Sequence, residues 1–146
     1  MSNANKPCEL CQSPGGIVLW NSSQCRVVRV ADPDYPGFCR VIWTAHLREM
    51  TDLDSAQRHY LMDVVFAVES VVRSLFSPHK INLASFGNMT PHLHWHVIPR
   101  WQDDRHFPEP IWGAAHNAFP VRRSDVSDEA LIEALRINLP SGNNHG

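Results

Sequence analysis

The chain has 146 residues, 43% of them hydrophobic and 19% charged, enough apolar material for one buried core and too much for wholesale disorder. With 13 Lys and Arg against 15 Asp and Glu, its formal charge of -2 excludes a protein that grips nucleic acid by net charge. No apolar stretch approaches a membrane span, the start lacks the apolar core of a secretory signal, and four Cys are too sparse for a disulfide scaffold, so a reducing, cytoplasmic setting is expected.

Residues 1–16 read as an extended arm, punctuated by Pro7 and by Ser13-Pro14-Gly15-Gly16, with Cys8-Glu9-Leu10-Cys11 between. Three β-prone runs follow: Ile17 to Trp20, Arg26 to Val30 and Phe38 to Trp43. Asn21-Ser22-Ser23 and Asp32-Pro33-Asp34-Tyr35-Pro36-Gly37 separate them, which predicts a meander. From Asp54 to Phe76 the period changes. Leu61, Val64, Val65, Val68, Val71, Val72 and Leu75 recur at steps of three and four, predicting a helix with one buried face. Asp54 caps it, Gln57 completes a capping-box pattern, and Ser77-Pro78 ends it. Two more strands follow, Ile81 to Phe86 and His92 to Ile98, joined by Gly87-Asn88-Met89-Thr90-Pro91. Residues 101–146 read as an irregular extension of the same domain, with a short helix over Asp128 to Asn138 and a frayed end from Ser141. The sum is an α+β fold: an antiparallel five-stranded sheet with a long helix packed on one face.

Nine His are present, and three alternate in Pro91-His92-Leu93-His94-Trp95-His96-Val97-Ile98-Pro99. On a strand, His92, His94 and His96 point one way, about 6.5–7 Å apart in succession, while Leu93, Trp95 and Val97 point into the core. The strand has an apolar back and an imidazole front. Such a front can be a solvated face, a set of metal ligands, or a nucleophile with its helpers. Imidazole suits phosphoryl chemistry because it is largely neutral and nucleophilic near pH 7.

The segment from Asn88 to Arg100 resembles the signature of the histidine-triad family, in which three His alternate with apolar residues. Upstream, Tyr35-Pro36-Gly37-Phe38-Cys39-Arg40-Val41-Ile42-Trp43-Thr44-Ala45-His46 is similar to that family's Pro-Gly-x-x-x-Val-Ile-Pro-x-x-His strand and turn. The resemblance spans roughly residues 8 to 100 and makes 17–100 the histidine-triad domain. It implies a nucleotidyl hydrolase or transferase acting at the α-phosphorus of a nucleoside phosphate, built as a homodimer. By position, His94 matches the nucleophile, His96 the residue contacting the phosphate or leaving-group oxygen, and Asn88 an amide on the phosphate. The family's ribose-binding acid falls at Val30, so the resemblance leaves two alternatives: Asp32 takes that role with a two-residue shift, or the ribose is held differently. Phe38 stands where members often have His, and Trp43 where they have Pro. Because related galactose-1-phosphate uridylyltransferases carry Gln at the third triad position, His96 favours a hydrolase.

Cys8 and Cys11 alone can be half a zinc site, a redox pair or plain thiols. A redox pair needs a helix starting there, which Pro14-Gly15-Gly16 cut short. Relatives with an N-terminal Cys pair complete a zinc site with residues matching His46 and His92. The resemblance therefore implies structural zinc on Cys8, Cys11, His46 and His92, and no organic cofactor; free thiols with a backbone-bonded His92 are the alternative. Cys25 and Cys39, with Trp20, Trp43 and Trp95, read as buried strand residues. Trp101 and Trp112 are placed to wall the site or a dimer interface. Arg100 and Arg105 are placed to meet outer phosphates or to sit as solvated charges, and Ser85, beside the triad, to turn its hydroxyl to the pocket. His106 and His116 read as incidental. The expected function is hydrolysis of a nucleoside polyphosphate, dinucleoside polyphosphate or phosphoramidate, with no nucleic acid or membrane partner. The rivals are a nucleotide-binding regulatory module without turnover and a metalloenzyme using the triad as ligands.

Overall fold

Two periodicities in the sequence become two layers. Runs of period two form β1 (Ile17–Asn21), β2 (Cys25–Arg29), β3 (Cys39–Trp43), β4 (Lys80–Ala84) and β5 (His94–Arg100). The computed structural model describes residues 7–140. All neighbouring strands are antiparallel, in the order β1-β2-β3-β5-β4, so β5 enters between β3 and β4 and is hydrogen-bonded on both sides.

The run of period 3.6 forms α2 (Ser55–Phe76), the second helix after a single turn, α1 (Glu9–Gln12). Gln57 N donates to Asp54 Oδ1 at 2.8 Å, and Gln57 Oε1 accepts from Asp54 N at 2.9 Å, the reciprocal cap expected from the sequence. Ser77 ends the helix in the left-handed region, φ 47°, just before Pro78. Leu61, Val64, Val65, Val68, Val71 and Val72 are buried against Val27, Val41, Leu93 and Val97 of the sheet. Each such side chain contributes about 1.5–3 kcal/mol on burial. α3 (Asp128–Asn138) adds Leu131 and Leu135 to the same core and is tied to β2 by Arg29, which donates to Asp128 at 2.9 Å and pairs with Asp125. Among the described residues no helix is long and apolar enough to cross a membrane.

Two expectations are corrected. The arm is not extended throughout: Glu9–Gln12 form a single helical turn, α1, immediately after Cys8. Gly15 then turns the chain at φ +81°, where a Cβ would stand 2.7 Å from a Leu10 methyl. Second, β5 begins at His94, not His92. His92 N donates to Thr90 O in a turn, and Leu93 joins the sheet only through bonds to Leu47 and Trp43. A 3-10 turn at Met50–Asp52 has no counterpart in the sequence reading. Residues 1–6 of the arm and the end from Ser141, expected to fray, lie outside the described residues.

Candidate active site

Alternation along β5 sends Val97 to the helix side and His94 and His96 to the other face of the sheet. Arg40 and Ile42 of β3 lie directly across from His96 and His94 in register. The front expected from the sequence is roofed rather than open. α1 lays Leu10 on Val28 and Ile42, and the chain after β5 returns Trp112 to within 4.9 Å of the His96 ring. His94 and His96 are consequently only 6% and 4% exposed, and both line a cavity of about 550 Å³. That volume lies within the usual range for small-molecule sites.

The hydrogen bonds fix the tautomers. His94 Nδ1 donates to the His92 carbonyl at 2.5 Å, so the lone pair of the neutral ring is on Nε2. His96 Nδ1 is buried without a partner among the described residues. A buried N–H without an acceptor is the costlier orphan, which places the His96 proton on Nε2. Burial lowers the affinity of all three triad rings for a proton. His94 and Arg40 add to this at His96, which falls to about 3, and Arg40 adds to it at His94. The triad is therefore neutral at physiological pH.

His92 faces elsewhere. Its Nε2 donates to the Trp43 carbonyl at 2.6 Å, leaving the Nδ1 lone pair 3.3 Å from Cys8 Sγ and 3.5 Å from Cys11 Sγ. His46 Nδ1 lies 3.4 Å from Cys11 Sγ, and the four ligand atoms fall within 4.8 Å of one another. In a tetrahedral site the edge between a thiolate and an imidazole nitrogen is about 3.6 Å. The donor set and spacing fit a metal ion, with the Trp43 carbonyl holding the His92 ring in place from behind.

A family model described as HIT domain matches residues 15–103. The chain belongs to the HIT domain family. A curated relative from Mycobacterium tuberculosis, named AP-4-A phosphorylase, is 32% identical over 108 residues. That match takes in 68% of this chain and 54% of the relative, so the chain spans about half the length of the protein it resembles. Among solved structures, a histidine triad protein from Bradyrhizobium japonicum aligns with TM-score 0.71 at 25% identity, covering 92% of this chain and 97% of that one. A second, from Marinobacter aquaeolei, gives TM-score 0.70 at 27% identity over 92% and 95%. The five-stranded antiparallel sheet with its helices is the HIT fold.

Not every residue singled out from the sequence reaches the HIT pocket. Asn88 lines it beside His94 and His96, on an exposed loop. Ser85 does not turn its hydroxyl to the pocket; the Oγ donates to the His94 carbonyl at 2.7 Å. Asp32 lines a different cavity of about 750 Å³, where it accepts from Asp34 N at 3.0 Å. Arg105 is there too, with its guanidinium 3.3 Å from Asp34. Arg100 is neither a phosphate ligand nor a surface charge. It is 2% exposed and donates to both oxygens of Asp104, to Asn82 Oδ1 at 2.8 Å and to the Glu109 carbonyl at 2.7 Å. His106 is not incidental, since its Nδ1 meets the Tyr35 hydroxyl at 2.7 Å. Trp101 is buried under Arg123, while Trp112 walls the pocket. Trp20 and Trp43 are core, and Trp95 is half-buried with its indole N–H on Met50 sulfur. Cys25 and Cys39 are core thiols, pushed up by burial to about 11 and about 12.

The sequence reading overlooked Arg40, Glu9, Leu10 and Phe86 as pocket residues. For Arg40 a signal was available: a charge inside a central strand, on the same parity as Ile42 and opposite to Cys39, Val41 and Trp43.

Proposed function

We propose that this chain hydrolyses a nucleoside polyphosphate, dinucleoside polyphosphate or nucleoside phosphoramidate at the α-phosphorus, through a nucleotidyl intermediate on His94. The observation that carries the reading is the bond from His94 Nδ1 to the His92 carbonyl, which leaves a neutral Nε2 as nucleophile at a ligand-sized cavity. Kinship with a protein named AP-4-A phosphorylase supports the substrate class.

In the first step His94 Nε2 bonds to phosphorus while the bond from phosphorus to the leaving group breaks, its electron pair going with the leaving group. His96 Nε2–H donates a hydrogen bond to the departing atom. A phosphate chain leaves as its anion, whereas an amine takes that proton as it leaves; His96 then regains one from the attacking water, with no net proton released on that route. The Asn88 amide donates to a non-bridging oxygen, where charge concentrates in the transition state. Water then attacks phosphorus, the N–P bond returns its pair to Nε2, and a nucleoside monophosphate and a proton leave. Cys8, Cys11, His46 and His92 would hold a zinc ion, which supplies a cross-link between arm and sheet and takes no part in these steps. A homodimer completes the proposal and is read by light scattering.

The deciding experiment quenches turnover in alkali, which preserves phosphoramidates, and maps the protein by mass spectrometry. The expected result is a nucleotidyl increment on the peptide holding His94, absent from His94→Ala. An adduct on another residue overturns the assignment, and binding without turnover returns the chain to the regulatory reading.

A further inference from the structure

Arg40 is a cation set into the middle of the sheet. It lies directly across β3 from His96, and opposed side chains on one face of such a pair stand about 4.5–5.5 Å apart at Cβ. Its side chain lines the same cavity as His94 and His96. A buried charge is costly unless its donors find acceptors. Arg40 is half-buried; among the described residues its buried Nε has no partner, and Nη1 reaches the Gly15 carbonyl at only 3.3 Å. None of the ion pairs among the described residues includes it. Glu9, on the facing wall of the cavity, acts on it through space alone. The guanidinium also lies 5.9 Å from the centroid of the Phe38 ring, a contact that uses none of its N–H groups.

The protein thus sets a cation with no charged hydrogen-bond partner among the described residues into a cavity whose other polar side chains are those of His94, His96, Asn88, Thr90, Trp112 and Glu9. A guanidinium fork matches a phosphate in shape and charge. Resting on the proposed chemistry, in which His96 faces the departing atom, the position of Arg40 opposite His96 puts it on the leaving-group side. We propose that Arg40 binds a phosphate group of the leaving group, so that the pocket selects phosphate-chain leaving groups over neutral amines.

The test compares two substrates with one common nucleoside: a dinucleoside tetraphosphate, and a phosphoramidate whose leaving group is a neutral amine. Arg40→Leu should lower kcat/KM for the tetraphosphate about 10- to 100-fold, the weight of a charge-assisted hydrogen bond. The phosphoramidate should change by less than about threefold, and Arg40→Lys should recover part of the tetraphosphate loss. Equal losses on both substrates, or no loss on the tetraphosphate, overturn the proposal. If the wild type turns over neither substrate, the proposed hydrolysis falls and calorimetry reads Arg40 separately. A loss of affinity at Arg40→Leu for ADP but not AMP then supports phosphate binding, and equal or no loss refutes it. Should Arg40→Leu fail to fold, Arg40→Lys carries the same comparisons, with a smaller loss expected on the phosphate-chain ligand alone.

Discussion

β5 carries a polar cluster at each end, and the two are built on opposite terms. At its C-terminal end, Arg100 and Asp104 saturate one another. The carboxylate also accepts from the backbone N–H groups of Trp101, His106 and Phe107 and from the Tyr35 hydroxyl. Toward its N-terminal end, His96 and, beside it on β3, Arg40 keep buried nitrogens that no group among the described residues meets. The first cluster folds the chain after β5 back over the sheet and so brings Trp112 to the pocket. The second is where the proposed substrate binds. Buried polar groups stabilise a fold when every member is satisfied; those left open mark where chemistry happens.

The sharpest way to break this contrast is to remove one residue from each cluster and ask what fails. His94→Ala should cost 10⁴-fold or more in kcat, about 5.5 kcal/mol, while changing stability by only about 1 kcal/mol. Retention of a hundredth of the wild-type rate would end the assignment of the nucleophile. Asp104→Ala should do the reverse in kind, costing about 3–5 kcal/mol of stability because Arg100 is left buried and unpaired. Scanning calorimetry should show that as a fall of roughly 10–15 °C in Tm. A normal melting point for this variant would mean the knot is ornamental.

Much of this was legible in advance because it is local. The caps and buried stripe of α2, the bounds of α3 and the shared face of His94 and His96 all follow from spacing along the chain. The association of Cys8 and Cys11 with His46 and His92 was legible only through resemblance to a family. What spacing cannot reveal is the partner of a long side chain. Arg100 and Arg40 are both arginines in central strands, yet one meets a carboxylate four residues on and the other meets none among the described residues. Likewise the Ser85 hydroxyl turned to a carbonyl, and Asp32 to a cavity of its own, because backbone acceptors and turn geometry decide such contacts. The turn at Glu9–Gln12 escaped notice because a four-residue helix has no period to read.

Two smaller effects sharpen the comparison further. Replacing Cys8 and Cys11 with Ser should release about one equivalent of zinc per chain, checked by elemental analysis of protein purified without chelator. Loss of a metal held at a hundred times its dissociation constant should lower stability by about 2.7 kcal/mol, with kcat much less affected. Less than a tenth of an equivalent in the wild type would leave the four residues as ordinary side chains. The last effect concerns acid. Burial opposes the charge on Asp104, but Arg100 and the three backbone N–H groups outweigh it and hold the carboxyl at about 2, against 3.8 ordinarily. The unfolded chain therefore takes up this proton first as pH falls, so the stability Asp104 supplies is complete above about 4 and lost by about 2. Urea titrations of wild type and Asp104→Asn should differ by about 2 kcal/mol more at pH 5 than at pH 2. A constant difference would place the carboxylate outside the acid response.

The proton on His94 Nδ1 is held by a main-chain carbonyl, and so is the proton on His92 Nε2. Neither acceptor is encoded by a side chain. In genetic terms, the tautomer of the proposed nucleophile has no codon of its own: exchanging the side chain of His92 or Trp43 leaves the carbonyl groups in place. The His94 imidazole can be deleted by one mutation at its own position, but its orientation is inherited with the path of the backbone, and only changes that move that path can undo it.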